Sequence, residues 1–450
     1  MERLHGRQRR VLRRPRLARR RREDGRHPQG PPRRHRAPAA GARQLSAVTG
    51  GARPPAAGGG AGRLALPDFP WDALAPHAER ARRAPGGLVD LSVGTPVDPT
   101  PALLRDALAG ASDAPGYPQV WGTPAVREAV AAWFARRRGV PDLDPDGVMP
   151  TPGSKELVAW LPTLLGLGPG DVVVHPLVAY PTYDVGARLA GAAPLPLDDV
   201  ASLPSPVVDL PGGGTGRVRL VWLNSPSNPT GAVDDVRRLA EVVAWAREHD
   251  VVVAGDECYA ELGWTPADRG AAGEVDVDER GDLVPPSVLD PRATGGDSRG
   301  VLSVYSLSKQ SNLAGYRAAF VAGCPALVRH LVGVRKHAGV IVPRPVQEVL
   351  RTALGDDAHV AEQKERYRAR RAVLRDAVTA AGGRVERSDA GLYLWTTFDE
   401  PAMDTVARLA DRGVLVAPGS FYGAAGERHV RVALTATDER VASAAERLAG

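Results

Sequence analysis

Lysine is nearly missing from this chain. Only four of its 58 basic residues are Lys, at positions 155, 309, 336 and 364, and Arg supplies the rest of the positive charge. Cysteine is scarcer still. Cys258 and Cys324 are too few for a disulfide framework and lack metal-ligand spacing, so they read as small core residues in a reducing cytoplasm. No apolar run reaches membrane-spanning length, which argues against a helical membrane protein. The absence of an apolar stretch near the start excludes a secretory signal peptide.

What is present fits a globular protein. A length of 450 residues with 43% apolar side chains allows two or three domain-sized units and an ample core. The net charge of +6 hides an asymmetry. Residues 1–40 hold 15 Arg against Glu2, Glu23 and Asp24, while the other 410 residues carry 43 basic and 49 acidic groups. The body is therefore mildly acidic. Residues 1–62, rich in Arg, Pro and Gly, have almost no large apolar residue and are expected to be disordered, with order starting near Leu64–Leu66. A nucleic-acid-binding arm would need aromatics or a helix-turn-helix pattern, and neither is there, so a nucleic-acid partner is not expected. Upstream DNA read through in a GC-rich gene, with a misplaced start, accounts equally well for the segment.

The body alternates apolar strands with helical stretches, which predicts an α/β fold with a mainly parallel sheet. Expected strands are 172–175, 218–223, 251–254, 301–305 and 319–322. Expected helices are 123–138, 154–165, 234–248 and 363–381. Residues 265–300 are rich in Gly, Pro and acids, including Asp276, Asp278 and Asp282, and read as an acidic, solvated surface insertion without the regular spacing of a metal site. In such sheets functional groups gather beyond the carboxyl ends of the strands. Asn224–Gly231, Asp256–Tyr259 and Ser306–Lys309 all fall at such ends.

Lys309 lies in Ser306-Leu307-Ser308-Lys309, just after one of these strands, with Gly315 and Arg317 following. Lysine can lose its proton and attack a carbonyl to form a Schiff base; arginine cannot. Hydroxyls and an Arg beside it suit a phosphate. The group this pattern fits is a phosphorylated aldehyde, pyridoxal 5′-phosphate (PLP). Asp256 ends an apolar strand, and a buried carboxylate wants a cation such as a protonated pyridine nitrogen; an N-cap or turn role explains it as well. Tyr259 and Asn228 are placed to hydrogen-bond a phenolate oxygen, which would lower a Schiff-base pKa, although Asn228-Pro229-Thr230-Gly231 is also plain turn chemistry. Tyr180 offers a ring for stacking or for the core. Ser154 opens a helix whose free N–H groups attract phosphate, and is also an ordinary N-cap. Lys155 reads as a phosphate neighbour or a surface residue. Arg431 sits in an alternating apolar stretch, where it either snorkels or forks onto a carboxylate.

The ordered set Gly94, Tyr117, Gly153-Ser154, Tyr180, Asn228-Pro229-Thr230-Gly231, Asp256-x-x-Tyr259, Ser306-x-Ser308-Lys309, Arg317 and Arg431 resembles the class I/II (fold type I) PLP-dependent aminotransferases over residues 65–450. Several stretches look closer still to the bacterial succinyldiaminopimelate aminotransferases of lysine biosynthesis. Among them are Leu66-Pro67-Asp68-Phe69-Pro70-Trp71-Asp72, residues 179–191, and Asp389-Ala390-Gly391-Leu392-Tyr393-Leu394-Trp395. The basic tail and the 265–300 insertion are not features of that family.

The resemblance implies a large domain at 104–340 and a smaller α/β domain from 65–103 and 341–450. It implies that Lys309 carries the cofactor and acts as acid–base, and that Asp256 holds the pyridinium. Tyr259 and Asn228 would contact the phenolic oxygen, and Tyr180 would stack on the ring. Ser154, Lys155, Ser306 and Arg317 would surround the phosphate. Arg431 and Gly94 would take the substrate carboxylate. Tyr117 would reach the neighbouring subunit's phosphate, so a homodimer with shared sites is expected. The expected reaction moves an amino group between glutamate and N-succinyl-2-amino-6-oxopimelate, without a metal. Arg335, Lys336 and Arg344 are candidates for a distal carboxylate. The alternatives are another aminotransferase or a β-lyase on the same scaffold, or a non-catalytic regulator.

Overall fold

The computed structural model describes residues 66–210, 213–265 and 276–450. The expectations for residues 1–62 and for 266–275 lie outside the described residues. The larger sheet runs, edge to edge, Val148–Pro152, Ala318–Gly323, Val301–Ser306, Val252–Asp256, Thr215–Asn224, Asp171–His175 and Ala193–Pro196, with Val207–Asp209 paired onto Thr215–Asn224. The run from Val301–Ser306 to Ala193–Pro196 is parallel, and Ala318–Gly323 is antiparallel to both its neighbours. A fold of this kind, α/β with a mainly parallel sheet, is what the alternating pattern predicts. The central strands are buried on both faces: all six residues of Val301–Ser306 are buried, as are all six of Ala318–Gly323. That explains their continuous apolar runs.

A second sheet is antiparallel, in the order Arg384–Glu386, Tyr393–Thr397, His429–Ala433 and Ala417–Pro418. Its core, with Leu392, Leu394, Val406 and Val432, is separate from the two clusters that flank the larger sheet. Helix Arg344–Leu354 packs Val349, Leu350 and Leu354 into a cluster of the larger sheet, beside Leu104. Its apolar face thus packs with the larger sheet. Helix Ala358–Ala380 starts five residues before the expected 363. Asp356 sets that start by accepting from the backbone N–H of His359 (3.0 Å).

The solvated reading of 265–300 is corrected for 282–294. Leu283, Val288, Leu289 and Ala293 are buried, and Asp282 is buried against Lys364 (2.9 Å) and Arg368. The high acid content hid apolar residues between acids that have partners. Burial here supports the site directly. Glu257, next to Asp256, accepts from Ser287 Oγ (2.9 Å) and the Val288 N–H (2.7 Å), and pairs with Arg138 (3.1 Å). Both side chains of that pair are almost wholly buried. Arg138→Ala leaves Glu257 charged, buried and unpaired, so unfolding stability should fall by about 3–5 kcal/mol. Urea denaturation measures this; a loss under about 1 kcal/mol contradicts it.

Candidate active site

The carboxyl ends of three adjacent strands deliver the first groups. Asn224 and Asp256 are direct partners across two parallel strands, and Ser306 closes the third. The topology therefore places side chains from distant segments along one edge. A cavity of about 510 Å³ opens there. Gly94, Ser154, Lys155, Tyr180, Asn228, Asp256, Tyr259, Ser306, Lys309, Arg317 and Arg431 all line it, so, the three distal candidates apart, eleven of the twelve residues singled out in the sequence meet in one place. Tyr117 does not. It is fully exposed in a different cleft, together with Arg344 and Gln347.

Asp256 lies 7% exposed at the floor. Its carboxylate accepts from Tyr183 Oη (2.9 Å) and from the Cys258 N–H (3.3 Å), and no cation pairs with it among the described residues. Burial pushes its pKa above the ordinary carboxylate value. Burial likewise raises the Cys258 thiol and the Tyr183 phenol. Such a carboxylate is a ready partner for a cationic ring nitrogen.

Arg431 is the opposite case. It is 3% exposed and donates to Asn228 Oδ1 (2.9 Å) and the Ser92 carbonyl (2.6 Å), but among the described residues no carboxylate faces it. Aromatic rings enclose the guanidinium instead, with Tyr393 at 4.0 Å, Tyr422 at 5.1 Å and Trp71 at 5.9 Å. Its Nε has no hydrogen-bond partner. The burial rules out snorkelling. Lys309 lines the same cavity, and its Nζ donates to the Gly94 carbonyl. The strap carrying Gly94 is tied down by Thr435 Oγ1 donating to the Val93 carbonyl (2.9 Å).

At the other end, helix Ser154–Leu164 begins at the cavity wall. Gly153 before it has φ 89°, and a Cβ there would come within 1.9 Å of the Arg317 guanidinium. Only glycine lets the Arg317 side chain lie against that helix start. Ser306 Oγ and Ser308 Oγ, 2.9 Å apart, complete a polar wall. A helix N-terminus, a guanidinium and two hydroxyls form a site for a phosphate. Lys155 lies over the rings of Phe69 (5.6 Å) and Tyr180 (5.8 Å).

Three site features escape the sequence reading. Tyr183 holds Asp256, and it belongs to the Ala179–Tyr183 segment already singled out. Tyr393 packs on Arg431, and strand alternation points to it: Trp395 is the direct register partner of Arg431, which puts Tyr393 on the same face two residues away. Phe69 and Trp71 reach the cavity mouth from the segment before the first helix; the resemblance marked that segment but gave neither residue a role. Of the distal candidates, Arg335 is buried, its Nη2 donating to both Glu156 carboxylate oxygens (2.8 and 3.0 Å), and neither Lys336 nor Arg344 lines this cavity.

An unpaired buried carboxylate, a lysine and a phosphate cradle opened by Gly153 fit PLP. The aminotransferase class I and II family model matches residues 87–448. The chain is 54% identical, over 85% of its own length and 99% of the relative's, to the 4-dedimethylamino-4-oxo-anhydrotetracycline transaminase of Streptomyces rimosus. It is 51% identical to a probable aminotransferase of Mycobacterium tuberculosis, over the whole of both chains. Among solved structures, a probable N-succinyldiaminopimelate aminotransferase of Thermus thermophilus superposes with a TM-score of 0.71 at 28% identity, covering 85% of this chain and 99% of that one. This chain belongs to the class I and II aminotransferases, the PLP-dependent enzymes that move amino groups between amino acids and oxo acids. Among the described residues, no helix is long and apolar enough to cross a membrane.

Lys309→Ala should abolish turnover and leave the fold intact by circular dichroism. Lys309→Arg should fail as completely, because Arg stays protonated. Normal turnover in either variant contradicts the role of Lys309.

Proposed function

We propose that this aminotransferase transfers the amino group of glutamate to N-succinyl-2-amino-6-oxopimelate. The observation that carries the reading is a pair of cations along the cavity with no carboxylate partner among the described residues, Arg431 against Tyr393 and Lys155 over the ring of Tyr180. A substrate with one carboxylate beside its oxo group and others at its far end would meet both. Likeness to the Thermus thermophilus protein, and the sequence stretches shared with the succinyldiaminopimelate enzymes, add support.

The residues divide the work. Arg431 forks onto the carboxylate next to the reacting carbon and so fixes that carbon's orientation. Lys309 Nζ takes the proton from the carbon bearing the amino group and returns one on the opposite half-reaction. Asp256 would hold the cofactor's ring nitrogen cationic, while Ser154, Ser306 and Arg317 would hold its phosphate. Bound there, PLP supplies a cationic conjugated ring that takes up the electron pair freed at the substrate carbon. The fully exposed Tyr117 serves the cavity of a second copy, which makes the working unit a homodimer; a single-chain mass by sedimentation contradicts this.

A second reading has its own observation. Phe69, Trp71 and Tyr180 line the cavity as an aromatic rim, with Phe69 and Trp71 stacked 5.6 Å apart, and the 4-dedimethylamino-4-oxo-anhydrotetracycline transaminase is 54% identical. That rim suits a large ring ketone. Absorption spectroscopy separates the two. With N-succinyl-LL-diaminopimelate, the visible band of the lysine-bound cofactor should convert to the amine form, and Lys155→Met should lower kcat/KM for it by about tenfold or more while changing a monocarboxylic amino acid little. A band that converts with aspartate or alanine, but not with this substrate, removes the proposed acceptor and keeps the aminotransferase.

A further inference from the structure

Tyr259 and Tyr393 face each other at the centre of the cavity with their hydroxyl oxygens 3.2 Å apart. Both are buried, at 7% and 4% exposure. One must donate to the other, and the surroundings choose which. Tyr393 lies 4.0 Å from the Arg431 guanidinium across its ring face. Burial is the strongest single influence and raises its pKa, as does the neighbouring Cys258, but the nearby charges of Arg431 and Lys309 together with the hydrogen bond to Tyr259 bring it below the ordinary phenol value. Burial pushes Tyr259 well above that value, with Tyr393 beside it adding to the rise. The more acidic phenol is the better donor. Tyr393 therefore gives its hydrogen to Tyr259, and the Tyr259 hydrogen is left to point into the cavity. The close packing protects this arrangement. A Cβ on Gly94 would lie 2.1 Å from Tyr393 Oη, so glycine at 94 is what leaves room for that hydroxyl.

We infer that Tyr393 is a positioning residue that orients the Tyr259 hydroxyl toward the cofactor's phenolic oxygen by donating a hydrogen bond to it. The inference rests on the site reading above, in which Tyr259 meets that oxygen. A donor chain of two phenols strengthens the terminal bond cooperatively. A stronger donor makes the cofactor oxygen a weaker holder of the proton it shares with Lys309 Nζ. The pH midpoint of the visible band is thereby lowered.

The test is a spectrophotometric pH titration of the holoenzyme without substrate. Tyr393→Phe should move the midpoint upward by about half a unit to one unit. Tyr259→Phe should move it further. Tyr393→Phe should add nothing on the Tyr259→Phe background, because its effect passes through Tyr259. An unchanged midpoint in Tyr393→Phe, or additive shifts in the double variant, overturns the inference. Should Tyr393→Phe fold poorly, 3-fluorotyrosine placed at 393 keeps the shape and makes a better donor, so the midpoint should move down; no movement, or movement upward, overturns the inference equally. Absence of any visible band in the unsubstituted protein supplied with PLP would instead bring down the site reading itself.

Discussion

Two charges of opposite sign are buried in one cavity, and neither has a partner of opposite charge within the described chain. Asp256 is held by a phenol and a backbone N–H, Arg431 by an amide, a carbonyl and aromatic faces. A buried ion without a counterion costs on the order of several kcal/mol. The rest of the molecule is arranged to hold these two in place despite that cost. Their natural complements, a cationic ring and a carboxylate, are what an aminotransferase must bind. On the proposed reading, pairing these two charges would add to the binding of both.

The scaffold meets the cost with rigidity. Asp256 ends a strand paired on both sides, and the next residue, Glu257, is locked by Arg138, Ser287 and Val288. Arg431 lies in the middle strand of the smaller sheet, paired to Trp395 on one side and Ala417 on the other. The strap at Ser92–Gly94 ties the two regions together. Ser92 accepts from Arg431, Gly94 accepts from Lys309, and Val93 accepts from Thr435. On the proposed reading, a carboxylate brought to Arg431 would bear on the same strap that accepts from Lys309.

Much of this was legible in the sequence, for reasons that can be named. The lysine stood out because Arg replaces Lys almost everywhere else. The strand ends stood out because apolar runs stop abruptly at Asn224, Asp256 and Ser306. Eleven site residues followed from those two signals together with the ordered motifs. What stayed hidden depends on contacts across the chain. Tyr393 looks like one more apolar strand residue until its register with Arg431 is known. Arg335 looks like a free cation until Glu156 is found beside it. The acids at 276–282 suggest solvent until Lys364 and Arg368 are brought to Asp282 by a helix some 80 residues on. Composition records charge but not its partners.

The most direct test of the central claim is the affinity of the cofactor-free protein for PLP, measured by equilibrium dialysis before and after Asp256→Asn. The substitution keeps the shape and removes the charge. If the buried carboxylate is kept unpaired for a cationic ring, affinity should drop about a hundredfold, the equivalent of about 3 kcal/mol. Equal affinity in the two proteins would mean that Asp256 is satisfied by Tyr183 and its own turn, and that the cavity is not organised around the missing charge.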